Sequence, residues 1–367
     1  MVKPVIRSRL IALACTALAG CGGSAATPPD GSAPATDLAA SSTDLAQAGG
    51  SDGGGGNNGG RLFPPTAPWY TDITKAPPDN ESATVIQALQ AAGGWGNANR
   101  FQVDFSFEVL DADANTPTRT FTKTTEFYSP DCDFQPVPVP PGGAIEGETG
   151  YQCLSNGDCH LLVVNRALGK LFEMWRADIR SPMVFNGGCL AVWDMARAYP
   201  PNLRGEYCTS ADAAGFPITP LLPTADEVFA AVQAQGDVGH ALRFILPNSR
   251  IRRRVYVHPS THSTPSTSGG ATLPPYGAHF RLRSDYPLGR LPNEAARTIA
   301  RSLQRFGMFL SDGGDIPVTF RGDRSTKHKW AEMGFDSHSL FGINVTDFDM
   351  VDGGARFTWN MDCVRNP

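Results

Sequence analysis

His258 and His262 stand four residues apart in YVHPSTH, and on a helix that spacing offers two imidazoles to one zinc ion. The preceding RRRVYV alternates as a strand does, and four residues of strand carry the chain about 13 Å at about 3.3 Å each. One ion cannot bridge that gap and no third ligand is signalled, so the sequence argues for no metal and for no other cofactor. His258 is better read as the end of a strand that also carries Tyr256, with His262 entering the loop STPSTSGG.

The surrounding stretch VGHALRFILPNSRIRRRVYVHPSTH, residues 238–262, reads as a hairpin turning at Pro247 to Arg250. Pairing Leu246 with Ile251 puts Arg243, Arg254, Tyr256 and His258 on one face, and a one-residue slip would scramble that set. His240, opposite them among core residues, is kept as a ligand-binding candidate with Arg254. AHFRLR, residues 278–283, adds His279, Arg281 and Arg283 on one side of a further strand. Guanidinium forks hold carboxylates, and Tyr and His exchange protons, so such a face suits an anionic or heavily hydroxylated ligand. On a uronic-acid sugar Arg243 would neutralise the carboxylate while Tyr256 and His258 move the protons of a β-elimination. The alternative is a solvated sheet face.

Carboxylates offer a second chemistry. Glu146, Glu173, Asp194, Asp212, Asp226, Glu227 and Asp312 are scattered along the chain, and a glycoside hydrolase needs two carboxyl groups roughly 5 to 10 Å apart. Asp212, in the small-residue loop CTSADAAGFP, joins His258, Tyr256 and Arg243 as a catalytic candidate, with an Asx-turn or helix cap as its alternative. Asp226 and Glu227 follow Thr224 and are accounted for by helix capping. H-E-x-x-H, P-loop, dinucleotide and haem-attachment signatures are absent from the sequence, as is G-x-S-x-G from its folded part.

The elements that must position these residues are mostly strands. FQVDFSFEVL (101–110) alternates as a half-buried strand, and residues 159–177 form two apolar strands about a turn at Ala167, Leu168 and Gly169. Further strands are expected at 189–194, 239–246, 252–258, 278–283, 307–311, 317–321 and 345–350, and helices at 81–91, 224–234 and 293–306. A mainly β fold follows, a jelly-roll-like β-sandwich with a few short flanking helices, with α+β as the alternative.

Lys3, Arg7 and Arg9 precede an apolar run from Leu10 to Leu18, the pattern of an export signal. LAGC, Leu18 to Cys21, resembles the lipobox of bacterial lipoproteins, which implies a signal peptide over 1–20 and a lipid on Cys21. Gly22 after it favours the outer membrane or cell surface. Residues 21–62, ending in a Gly/Asn-rich run, are too poor in apolar side chains to fold and read as a tether. Residues 63–367 then form one β-rich domain. Removing the signal takes the net charge from −5 to about −8, which disfavours nucleic acid as a partner. Cys132, Cys153, Cys159, Cys189, Cys208 and Cys363 are an even set suited to three disulfides. Proximity suggests Cys153–Cys159 and Cys189–Cys208, leaving Cys132–Cys363.

The stretches YCTSADAAGFPITPLLPTADEV, GHALRF, VYVHPSTH, LPPYGAHFRLR and RSLQRFGMFLSDGG occur in that order. They resemble a family of exported bacterial proteins of uncharacterised activity. The resemblance implies export and a domain covering most of residues 72–355. It also implies that the cysteines are particular to this branch, and it leans toward polysaccharide because some relatives carry appended carbohydrate-binding modules. It supplies no catalytic residues. The expectation is an envelope lipoprotein that acts on polysaccharide as a glycan lyase or glycoside hydrolase. The alternative is a non-catalytic protein of the envelope, either structural or binding glycans through Trp69, Trp95, Trp175 and Trp193.

Overall fold

The computed structural model describes residues 61–367. The expected signal peptide, the lipid on Cys21 and the tether up to residue 60 lie outside the described residues. Among the described residues no helix is long and apolar enough to cross a membrane.

The fold is mainly β with short flanking helices. The strands used below are β1 Val103–Phe107, β2 Val109–Ala112, β3 Leu161–Asn165, β4 Lys170–Trp175, β5 Cys189–Asp194, β6 Leu242–Leu246, β7 Val255–Val257, β8 His279–Leu282, β9 Met308–Gly313, β10 Val318–Arg321, β11 Phe348–Val351 and β12 Arg356–Thr358. A six-stranded mixed sheet runs β1-β10-β6-β9-β8-β11, with β1·β10 and β6·β9 parallel. A four-stranded sheet runs β5-β4-β3-β2. The alternating stretch 101–110 is two strands rather than one. It crosses at Glu108 from the first sheet to the second, so a single segment ties the sheets together.

One large core joins Phe244, Leu310 and Val318 of the six-stranded sheet to Leu162, Val164, Leu171 and Trp193 of the four-stranded sheet. The other face of the four-stranded sheet, with Leu161, Val163, Phe172 and Met174, packs into a second core. Burial on both faces is why LLVV, residues 161–164, is continuously apolar rather than alternating. Each such fully buried side chain contributes about 1.5–3 kcal/mol.

The helices fall close to the expected segments: α1 Ser82–Ala91, α2 Ala225–Gln233 and α3 Glu294–Arg305. Thr224 and Glu227 cap α2 reciprocally, and the Asn293 side chain accepts from Ala296 N at the start of α3. Three-residue spacing with an oxygen acceptor is enough to set these starts.

The expected hairpin over 238–262 does not form. Pro247 leads into a short 3-10 turn, Asn248–Arg250, and Arg254 adopts a left-handed φ of 53° that interrupts the outgoing strand. β6 lies instead between β9 and β10, and β7 pairs with β12 near the C-terminus. Two of the expected disulfides are also exchanged. Cys153–Cys159 is present, but Cys132 joins Cys189 and Cys208 joins Cys363. The β7·β12 pairing and the contact of Gly205–Glu206 with Val364–Arg365 bring the C-terminal segment beside Cys208.

Peptide mapping of non-reduced protein should therefore recover Cys132–Cys189 and Cys208–Cys363 linked fragments. Replacing Cys208 and Cys363 together by Ala opens a loop of 155 residues and should lower unfolding free energy by about 2–5 kcal/mol in urea titration.

Candidate functional site

The six-stranded sheet carries a buried guanidinium. Arg243 on β6 has a side chain only 2% exposed. Its Nε donates to Ser311 Oγ at 3.0 Å, one terminal nitrogen to Thr319 Oγ1 at 3.0 Å and the other to Asp212 Oδ1 at 2.8 Å. Ser311 Oγ also donates to Asp212 Oδ1 at 3.0 Å. Asp312 Oδ2 lies 3.7 Å from the guanidinium nitrogen that holds Asp212. An oxygen of each carboxylate thus lies no more than about 6.5 Å, the sum of the two distances, from one of the other.

A register shift in the β6·β9 pairing makes this convergence possible. Phe244 pairs with Leu310 but Ile245 pairs with Asp312, so Ser311 is an extra residue. Successive strand residues ordinarily point to opposite faces. The bulge lets Ser311 and Asp312 both reach Arg243, a use to which bulges are often put beside functional sites.

Asp212 comes from a loop held by its own small residues. Its backbone N–H donates to Ser210 Oγ, Gly215 N–H donates to Asp212 O, and Ala214 N–H donates to Ser311 O. Gly215 has φ 87°, and a Cβ there would meet Thr261 Oγ1 at 2.1 Å, so only glycine fits this turn. The Asp212 side chain makes neither Asx-turn nor helix cap. It is fully buried, one oxygen binds Arg243 and Ser311, and Oδ2 has no partner.

A second buried ion pair supports the loop. His160 Nδ1 lies 2.6 Å from Glu146 Oε2, and Nε2 lies 2.9 Å from Ala211 O. Both partners are acceptors, so both ring nitrogens donate and the ring is an imidazolium. Burial opposes that charge, but Glu146 outweighs it and holds the pKa up to about 9. Phe107 lies between the two cations, its ring centroid 5.1 Å from the Arg243 guanidinium carbon and 5.3 Å from the His160 ring.

Asp312 faces a pocket of about 640 Å³ lined also by Trp175, Tyr207, Arg254, Tyr276 and Trp359. Its side chain is 22% exposed. Burial, and then the neighbouring Asp212 charge, push its carboxyl up to about 7 despite Arg243. Asp158 lines the same pocket, adds to that rise, and accepts from Trp175 Nε1 at 2.9 Å. His262 lines it as a neutral ring: burial pushes its pKa down to about 4, and Nδ1 bonds Ala213 O.

The expected Arg/Tyr/His face is dispersed. Arg243 points inward to Asp212. Tyr256 Oη donates to Glu206 Oε2 at 2.6 Å, and His258 Nε2 lies 2.8 Å from Glu206 Oε1, so both are bound to one carboxylate outside the pocket lining. Of this set Arg254 alone lines the pocket together with Asp212. His279 is half-buried, stacked on Phe309 and bonded to Phe306 O. Arg281 donates to the carbonyls of Ile73 and Ala76, Arg283 to Thr346 O, and His240 sits between Ala241 O and Glu227. These residues tie loops and do not make a cationic floor. Of the other carboxylates, Glu173 anchors the backbone of Ile218 and Thr219, Asp194 pairs with Lys170, and Asp226 accepts from His328 N. Trp69, Trp95 and Trp193 are fully buried and cannot stack on a sugar. Ser311, Thr319, His160, Asp158, Tyr276 and Trp359 escape a reading of sequence because their partners are remote. The SDGG run after an apolar strand was the available signal for Ser311 and Asp312.

No family model, curated protein or solved structure matches this chain.

Asp312 and His160 both hold protons more tightly when folded, so their contributions decline as pH rises: Asp312 from its unfolded value of 3.8 to about 7, His160 from 6.5 to about 9. Asp312→Asn removes the contribution of that carboxyl. Its melting temperature should exceed the parent's at pH 8 by at least about 2 °C, and the gap should close near pH 4; an unchanged gap across that range contradicts the assignment.

Proposed function

We propose that this protein is a glycoside hydrolase of the cell envelope, acting on polysaccharide with Asp312 as its general acid. The observation that carries this reading is the pocket carboxyl of Asp312, partly open to solvent and holding its proton close to neutral pH. A general acid needs both accessibility and a pKa near the working pH.

Asp312 gives its proton to the glycosidic oxygen as the bond from that oxygen to the anomeric carbon breaks. A water attacks the anomeric carbon, and Asp158 takes the proton the water loses. Asp212 transfers no proton in this scheme. Burial, and then the Asp212 charge, keep the Asp312 proton in place against the pull of Arg243. Trp175 and Trp359 offer rings to the apolar faces of sugars. β-Elimination on a uronate is less well supported, because it needs Arg243, Tyr256 and His258 together at the substrate, and each is bound elsewhere. The LAGC stretch and the six paired cysteines support an exported protein tethered through Cys21, at the outer membrane or cell surface.

A non-catalytic glycan-binding protein is the second reading, favoured by the aromatic pocket walls alone. Reducing-end release from a broad glycan panel separates the two. The hydrolase reading expects turnover that declines as pH rises through about 7 and falls about 10²–10⁴-fold in Asp312→Asn, with binding kept. Binding without turnover in the parent protein selects the second reading.

A further inference from the structure

We propose that the sugar taken by this pocket carries a free amine, so that the ligand is an oligosaccharide of amino sugars in ammonium form. This rests on the glycan reading above and reverses the anionic preference expected from the sequence.

The charges around the cavity carry the inference. Asp131, Asp158, Asp212 and Asp312 line it, against Arg254 as the one charged basic residue. Arg243 sits behind the wall and is spent on Asp212, Ser311 and Thr319. His262 is buried, with Nδ1 on a backbone carbonyl, and adds no positive charge. With Asp312 protonated, a uronate would still bring its carboxylate beside Asp131, Asp158 and Asp212, whereas an ammonium would find acceptors.

Two buried polar atoms of pocket-lining residues lack partners: Asp212 Oδ2, on a side chain with no exposed surface, and Trp359 Nε1. The first is an acceptor suited to an ammonium and the second a donor suited to a sugar hydroxyl. Asp158 uses Oδ1 on Trp175 Nε1, and among the described residues no hydrogen bond engages its Oδ2. The aromatic walls suit a cation as well. The Arg254 guanidinium already stands 5.8 Å from the Trp359 ring centroid, so that ring accepts positive charge on its face.

Binding to the Asp312→Asn protein, which keeps the neutral side chain without turnover, is measured by calorimetry at pH 6 with three tetramers: glucosamine, N-acetylglucosamine and galacturonate. The glucosamine tetramer should bind at least about tenfold more tightly than its acetylated counterpart, and the galacturonate tetramer more weakly than either. In the Asp158→Asn, Asp312→Asn protein that preference should shrink to within about twofold while affinity for the acetylated tetramer is kept. Equal affinity for the glucosamine and acetylated tetramers, or tighter binding of galacturonate, overturns the amine inference and leaves the glycan reading standing. Failure of all three to bind a protein that still melts cooperatively overturns both.

Discussion

A guanidinium with almost no contact with water organises this molecule. Desolvating Arg243 and Asp212 costs several kcal/mol per ion, and their attraction offsets that only when the remaining donors are also satisfied. Ser311 and Thr319 satisfy them, so the cost is met by residues on three adjacent strands, β6, β9 and β10, and on the Asp212 loop. The register shift in β9 serves the same constraint, because without it Ser311 and Asp312 would face opposite ways. Asp312 is left as the partly exposed carboxyl of the cluster, 3.7 Å from the guanidinium nitrogen that Asp212 holds at 2.8 Å. Stability and chemistry are thus coupled: the Asp212 carboxylate that helps fix the strands also adds to burial in keeping a proton on Asp312.

The pocket walls depend on more distant restraints. Tyr128 and Asp131 come from a segment pinned by Cys132–Cys189, and Trp359 to Met361 from one pinned by Cys208–Cys363. Glu206 clasps Tyr256 and His258, while Tyr207 next to it faces the pocket. The residues first singled out for proton transfer therefore act as fasteners for the wall. Segments poor in regular structure need such covalent and ionic ties, since their own apolar contacts are few.

What the sequence made legible was local. The caps of α2 and α3 are read from Thr224, Glu227 and Asn293, because a cap is an interaction over three residues. β5 falls at 189–194 as its apolar run suggests, and Asp212 was singled out because small residues surround it. Pairing was not legible. Arg243 meets partners 31 to 76 residues away, and no pattern along 238–262 distinguishes a hairpin from strands that part at a proline and a left-handed arginine. For the same reason alternation could not say that Tyr256 faces Glu206, or that Trp69, Trp95 and Trp193 belong to the core. The disulfides follow this pattern: the pair six residues apart was readable and those closing loops of 57 and 155 residues were not.

The central claim is that burial, and then the neighbouring Asp212 charge, leave Asp312 protonated near neutral pH despite Arg243. Carbon-13 NMR of protein labelled at aspartate carboxyls, with the Asp312 signal assigned by its loss in Asp312→Asn, reads that proton directly. The account predicts a titration midpoint at about 7. A midpoint near the ordinary aspartate value of 3.8 would contradict it.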